Sequence, residues 1–207
     1  MQNARHIRFL ANNFGYLQGL KSIPIGLAVI AIGWLKNTGV FQEGDLGVPL
    51  LVLVAGLVGY EITDRIYRAL FGRVRRSQAQ RLPEIGLGVL TLIAAYAALW
   101  VDSKYEEVGS ALGVTVAVLL GIDYVRTSKD VGSRYTWYVA VFAVGLLLLS
   151  LLPALGLKQW WRAVAFQSQE LAILTLLGII IVGMGILSHL TLMRLFREAG
   201  SAHEPGV

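Results

Sequence analysis

The sequence predicts an all-α fold: a polytopic integral membrane protein with six transmembrane helices in three hairpins and both termini in the cytoplasm. Three observations predict it. Of 207 residues, 56% are hydrophobic and 15% charged, with a mean hydropathy of +0.63, whereas an average soluble domain is ~45–50% apolar and ~25% charged. Apolar runs recur along the whole chain, separated by short charged connections. The density of basic residues alternates from one connection to the next, as successive crossings of a membrane require. In water such a chain would expose large contiguous apolar patches; with lipid as solvent they carry no cost.

The elements follow in order. Residues 1–22 form a polar leader in which Ile7, Leu10, Phe14 and Leu17 recur at helical spacing, with Arg5, Arg8, Asn12 and Asn13 elsewhere. That pattern suits a cytoplasmic amphipathic segment lying on the membrane surface. Ser22 favours a helix start and Pro24 a first turn, predicting a break before the first span. Only "GWLKNTG" follows this span, with no small-x-small cleavage signature, so the span is expected to be retained.

The six spans fall at 23–35, 46–60, 85–101, 108–122, 135–157 and 171–195, making a six-helix domain over 23–197 with a flexible cytoplasmic tail at 198–207. A bilayer core takes ~20 helical residues. The fifth and sixth runs meet that length, whereas the first, second and fourth reach it only by including Lys21, Lys36, Glu61 or Asp123. Runs such as "LLVLVAGLVG" do not alternate as barrel strands do, and a backbone in hydrocarbon must pair internally, which selects helices.

Orientation comes from the basic residues. Fourteen Lys and Arg lie in the N-terminal tail, the second and fourth connections and the C-tail; four (Lys36, Lys104, Lys158, Arg162) lie on the other side. The first set belongs in the cytoplasm. Trp34, Trp100, Trp160 and Trp161 fall at the outer ends, where amphipathic rings prefer the interface, and Trp137 alone at an inner one. A bacterial plasma membrane is the expected home of so short a polytopic chain. "IPIGLAVIAIGWL" and "PEIGLGVLTLIAAYAAL" resemble one another, and the helices after them end in "GYEITDRIYR" and "GIDYVRTSKD", as a repeated hairpin would; internal repeats are common among transporters.

Several chemistries are excluded. Without Cys there are no disulfides, thiolate metal sites, cysteine nucleophiles or iron–sulfur clusters. The net charge of +5 is spread between apolar runs and forms no basic tract, so membrane topology explains it and nucleic acid is not an expected partner. The histidines are His6, His189 and His203, with no HExxH and too few for bis-histidine haems in the bundle. No glycine-rich phosphate loop is present. "YEITDR" does not match the paired aspartates of lipid phosphotransferases. Ser188 and His189 are neighbours on one helix and point apart, which suits no nucleophile–base couple. No cofactor is expected, and a membrane-embedded lipid-modifying enzyme is the weakest reading.

The candidate site begins in "GYEITDRIYR", residues 59–68. At about 100° per residue, Glu61, Asp64, Arg65 and Arg68 share a stripe about 100° wide, and Glu61 with Arg65 and Asp64 with Arg68 are acid-first i,i+4 pairs. Glu61 lies about 21 Å along its span, leaving about 9 Å of a ~30 Å core beyond it. Asp123 follows Gly121 by two residues, as Glu61 follows Gly59, and His189 follows Gly185 by four. Three even-numbered spans thus put ionisable groups near one depth on the same side. A charge at the centre of a span costs ~2.5–3.5 kcal/mol and usually faces the bundle interior or a wet cavity.

The expectation is a cytoplasm-facing polar cluster of Glu61, Asp64, Arg65, Arg68, Asp123, Arg126 and His189, able to carry protons or a cation. Its carboxylates and imidazole suit a divalent ion without specifying the metal. The plainer alternative is a set of interfacial acids paired with Arg65, Arg68 and Arg126. Arg73, Arg75 and Arg76 are candidates for contact with anionic lipid head groups or a cytosolic partner. Gly15 with Gly19, Gly109 with Gly113, and the alanines at 94, 95, 97 and 98 allow close helix approach. Besides the lipid bilayer, the expected partners are membrane or cytosolic subunits, including further copies of the chain. The function expected first is a transporter-like or permease-like subunit; the alternative is a scaffold or accessory subunit of a larger membrane complex.

Overall fold

The computed structural model describes residues 18–41, 45–71, 90–91, 93–98, 100–102, 104–105, 109–131, 133–157 and 159–201. The leader through residue 17, the start of the third span, and Arg73, Arg75 and Arg76 lie outside the described residues. Among the described residues every regular element is helical. A 3₁₀ turn at Gly19–Lys21 leads into α1 (Ser22–Asn37), followed by α2 (Gly47–Phe71), α3 (Ile93–Asp102), α4 (Ala111–Val131), α5 (Ser133–Leu151), the single turn α6 (Trp160–Ala163) and α7 (Gln169–Ser201).

Four of these are long and apolar enough to cross a membrane: Gly19–Asn37, Gly47–Leu70, Ala111–Ser128 and Gln169–Arg197. Three of the four are runs that looked short. Each gains its length by continuing through the flanking charges Lys21 and Lys36, Glu61, or Asp123. At Ser22, where a break was expected, the 3₁₀ turn passes into α1 with helical backbone throughout, and Ser22 Oγ donates to Gly19 O at 2.7 Å.

The fifth run is the reverse case and corrects the expectation. Its helix, Ser133–Leu151, stops at Leu151 and does not reach Leu157. The cause is Pro153, which offers no N–H and disfavours helical geometry in the residue before it. The chain turns through 152–156, and Gly156 at φ +94° completes the reversal. Apolar composition continued to Leu157; the hydrogen-bonding capacity of the backbone did not.

Of the three expected consecutive hairpins the first packs, α1 on α2, while α5 meets α7 only lightly and the start of the third span lies outside the described residues. The most extensive contacts join α1 to α7, followed by α4 to α5 and α1 to α2, while α7 meets α4 and α5 more lightly. The α1–α7 seam is made of glycines seven residues apart: Gly19, Gly26 and Gly33 face Gly185, Gly178 and Thr175 in antiparallel order. A seven-residue period keeps one face of each helix turned to its partner, and without hydrophobic driving force in lipid, close backbone approach supplies the attraction. A Cβ at Gly26 would sit 2.7 Å from Val182 Cγ2 and 2.8 Å from Gly178 O. α2 rests on α1 in the same way, Gly56 and Gly59 against Ala28 and Pro24.

The second group centres on Leu146 and Ile173, with Ala98, Leu112, Ala117, Leu177 and Ile180 around them. It is tied at one end by Asp102 of α3. This buried carboxylate accepts from Ser110 Oγ (2.9 Å), Leu112 N (3.0 Å) and Ala111 N, taking up the free N–H groups at the start of α4. At the same end Asn37 closes α1 onto the loop before α7, donating to Ala165 O at 3.0 Å and accepting from Gln167 N at 2.8 Å. The helices alternate in direction. One end of the bundle therefore holds Lys21, Asp64, Arg68, Tyr138 and His189, and the other holds Asn37, Asp102, Trp160 and Gln167; these are called below the basic end and the tryptophan end.

Candidate functional site

At the basic end, polar side chains from five elements meet in one belt. α2 supplies three of them. Asp64 is buried at 5% exposure and is bridged by Lys21 from the 3₁₀ turn and by Arg68 one helical turn on. Tyr67, at 2% exposure, sends its hydroxyl to His189 Nδ1 of α7 at 2.7 Å, with the backbone of Leu20 as a second partner. The Lys21 ammonium stands 5.9 Å above the Tyr67 ring. On α7 the residue next to His189 turns the other way: Ser188 Oγ meets the Tyr138 hydroxyl of α5 at 2.8 Å, fully buried. Asp123 of α4 lies near enough for its charge to act on that phenol and receives a long hydrogen bond, 3.5 Å, from Thr127.

The packed face of α2 decides which residues of the predicted stripe join the belt. Taking Glu61 as 0°, Tyr67 stands at about 240°, Asp64 at 300°, Arg68 at 340° and Arg65 at 40°. Gly56 and Gly59, which touch α1, stand at about 220° and 160°, so exposure rises around the helix from Tyr67 to Arg65. Arg68 is half exposed, and Glu61 and Arg65 form their own outward pair at 3.1 Å. The stripe straddles the edge between the packed and open faces. Asp64, Arg68 and His189 are brought together through Lys21 and Tyr67. Asp123 reaches the belt from the far side, and Arg126 is exposed on α4.

Among the described residues no three acidic or histidine side chains gather as metal ligands would. Ser188 and His189 are engaged with different tyrosines, so the two do not couple with one another. The chain matches no protein-family model, no curated protein and no solved structure.

Sequence reasoning missed Lys21, Tyr67, Ser188 and Tyr138. Lys21 entered only as a topological charge and as a residue lengthening the first span, although it directly precedes Ser22. Tyr67 and Tyr138 read as ordinary apolar residues in their runs. One signal was available: Gly56 and Gly59 mark the close-packing face of α2, and Tyr67 lies on that same side, whereas Glu61 does not.

The belt makes a measurable demand on Tyr67. Tyr67→Phe keeps the ring and removes the hydroxyl, leaving His189 without its partner. The expected loss is about 1–3 kcal/mol of bundle stability, measured by unfolding in mixed micelles at rising SDS fraction. An unchanged transition would remove Tyr67 from the belt.

Proposed function

We propose that this chain is a non-catalytic scaffold or accessory subunit of a larger membrane complex, seated in a bacterial plasma membrane with six crossings and both termini in the cytoplasm. The observation that carries the reading is how the belt uses its polar atoms. Asp64 is bridged on both sides, both tyrosine hydroxyls are engaged, and Ser188 and His189 each bind a neighbouring helix. The chemistry expected to move ions is spent on joining α2, α5 and α7.

Two further features support it. α2 runs 25 residues and packs among the helices mainly on α1; Leu50, Leu53, Leu57 and Ile62 stay exposed around it, beside the outward Glu61–Arg65 pair. Such a surface suits a second membrane helix. The fourteen-to-four division of basic residues and the outer tryptophans support the orientation. A transporter-like subunit is the second reading, favoured by a polar cavity at the tryptophan end.

Reconstituted alone, the protein is expected to carry no proton or cation flux. A photo-reactive residue replacing Leu53 is expected to give one discrete protein adduct in the native membrane. Flux that Asp123→Asn abolishes, or adducts with lipid only, would reject the scaffold. Because the chain lacks Cys, single substitutions Ser128→Cys and Gln159→Cys report sidedness directly: the first should label from the cytoplasm and the second from outside.

A further inference from the structure

Of the four long spans, α2 is the least enclosed: 11% of its apolar stretch is buried, against 44% in α7. It rests on α1 through Gly56 and Gly59, at about 220° and 160° when Glu61 is 0°. On the opposite side Leu50, Val54, Leu57 and Arg65 flank Glu61 at about 340°, 20°, 320° and 40°, and all five are exposed. Leu50 and Leu57 are seven residues apart, as are Val54 and Glu61, the alternation that keeps two parallel helices face to face.

The charged end of this stripe has hydrogen-bonding capacity to spare. Among the described residues, Glu61 and Arg65 meet through one hydrogen bond, Arg65 Nε to Glu61 Oε1 at 3.1 Å. The second carboxylate oxygen and the terminal guanidinium nitrogens are left to the outside of the bundle, with the two side chains 49% and 75% exposed. Counted from Gly47, Glu61 stands about 21 Å along a core of ~30 Å, where lipid tails supply no hydrogen-bond partner. The face therefore asks for a helix that offers both a donor and an acceptor, one turn apart. A partner with a single charge would meet half of that. A second copy of the same face meets all of it: side by side about a two-fold axis along the membrane normal, each Glu61 lies about 6 Å in level from the partner's Arg65, within reach of so long a side chain. The four charges then sum to zero. We infer that the chain pairs with a second copy of itself along the outer face of α2, with Leu50, Val54 and Leu57 as the apolar seam and two reciprocal Glu61–Arg65 bridges setting its register. The inference rests on the reading that this face seats a membrane helix, and it names that helix.

The test uses the full chain, which lacks Cys, in liposomes at low protein-to-lipid ratio. A disulfide needs Cα atoms within about 7 Å, so Leu50→Cys, Val54→Cys and Leu57→Cys should each oxidise to a dimer, whereas Leu51→Cys and Ile62→Cys, at about 80° and 100°, should stay monomeric. Adding Glu61→Arg or Arg65→Glu to Leu57→Cys puts two like charges on each face and should weaken self-association about tenfold or more. Mixing these two variants, differently tagged, restores opposite charges between copies but not within either helix, so the mixed dimer should recover the parental yield. Both side chains are exposed, so each variant should unfold near the parental SDS fraction, separating lost pairing from lost fold. No dimer at the three seam positions, equal yields at all five, charge variants that pair like the parent, or a mixture that fails to recover would each overturn the inference. If the Leu53 photoadduct is a different protein and Leu57→Cys stays monomeric, the scaffold reading stands and this inference falls; seam dimers in a protein whose flux Asp123→Asn abolishes give the opposite outcome.

Discussion

Asp64→Ala is expected to lower bundle stability by about 3–5 kcal/mol, the usual cost of leaving a buried charge without its partner, while Glu61→Gln changes it by about 0–1 kcal/mol, the worth of an exposed pair. Both residues are acids on one helix, three positions apart, and each faces an arginine four residues on. They differ in surroundings. Asp64 is buried and bridged by Lys21, whose own side chain is 17% exposed, whereas the Glu61 carboxylate is 49% exposed and its arginine 75%. Arg68 can swing its head toward water when Asp64 is lost; Lys21 has less freedom to do so. A double replacement, Lys21→Met with Asp64→Leu, should recover most of the loss, because a buried pair exchanged for apolar side chains is often neutral. SDS-driven unfolding followed by far-UV circular dichroism reads all three. Equal transitions for Asp64→Ala and Glu61→Gln would reject the belt as a structural latch.

Gly178→Ala is expected to cost about 1–3 kcal/mol, the range for overfilling a packed site, and Gly145→Ala to be neutral or stabilising by about 0.4–1 kcal/mol through the unfolded chain. The substitution is chemically identical at the two positions. At Gly178 a Cβ would lie 2.6 Å from Ile30 Cγ1 and 2.7 Å from Gly26 O, so the α1–α7 seam must open; at Gly145 nothing stands within 4 Å. Because α1 holds α2 and continues directly from the 3₁₀ turn that carries Lys21, opening that seam should also loosen the belt. The check is the same unfolding measurement, together with pairwise crosslinking of α1 and α7. A Gly178→Ala protein as stable as the parent would mean that the glycine seam does not hold the first and last helices.

Much of the molecule was legible from composition and period. Helicity and compatibility with a membrane follow from backbone hydrogen bonding in an apolar solvent, which leaves a long apolar run no alternative to a helix. The extension of three short runs through Lys21, Glu61 and Asp123 was legible too, since helix length is set by the bilayer and charges near the ends are tolerated. The early stop at Leu151 was readable in principle, because Pro153 is in plain sight; apolar content simply outweighed it. The seven-residue glycine spacing was likewise present, but a four-residue search for small pairs passes over it.

What the chain alone determined is local: which segments become helices, where they start and break, and which charges can reach one another along a single helix. Which helix lies beside which, and therefore which face of α2 is buried, only the tertiary structure decided. That choice rests on the mutual fit of small-residue faces brought together from different helices, Gly26 on Gly178 and Gly59 on Pro24, where a few tenths of an ångström separate contact from clash. It turns Asp64 inward and Glu61 outward although the two stand on one stripe, and it brings tyrosines that read as apolar filler into hydrogen bonds with Ser188 and His189.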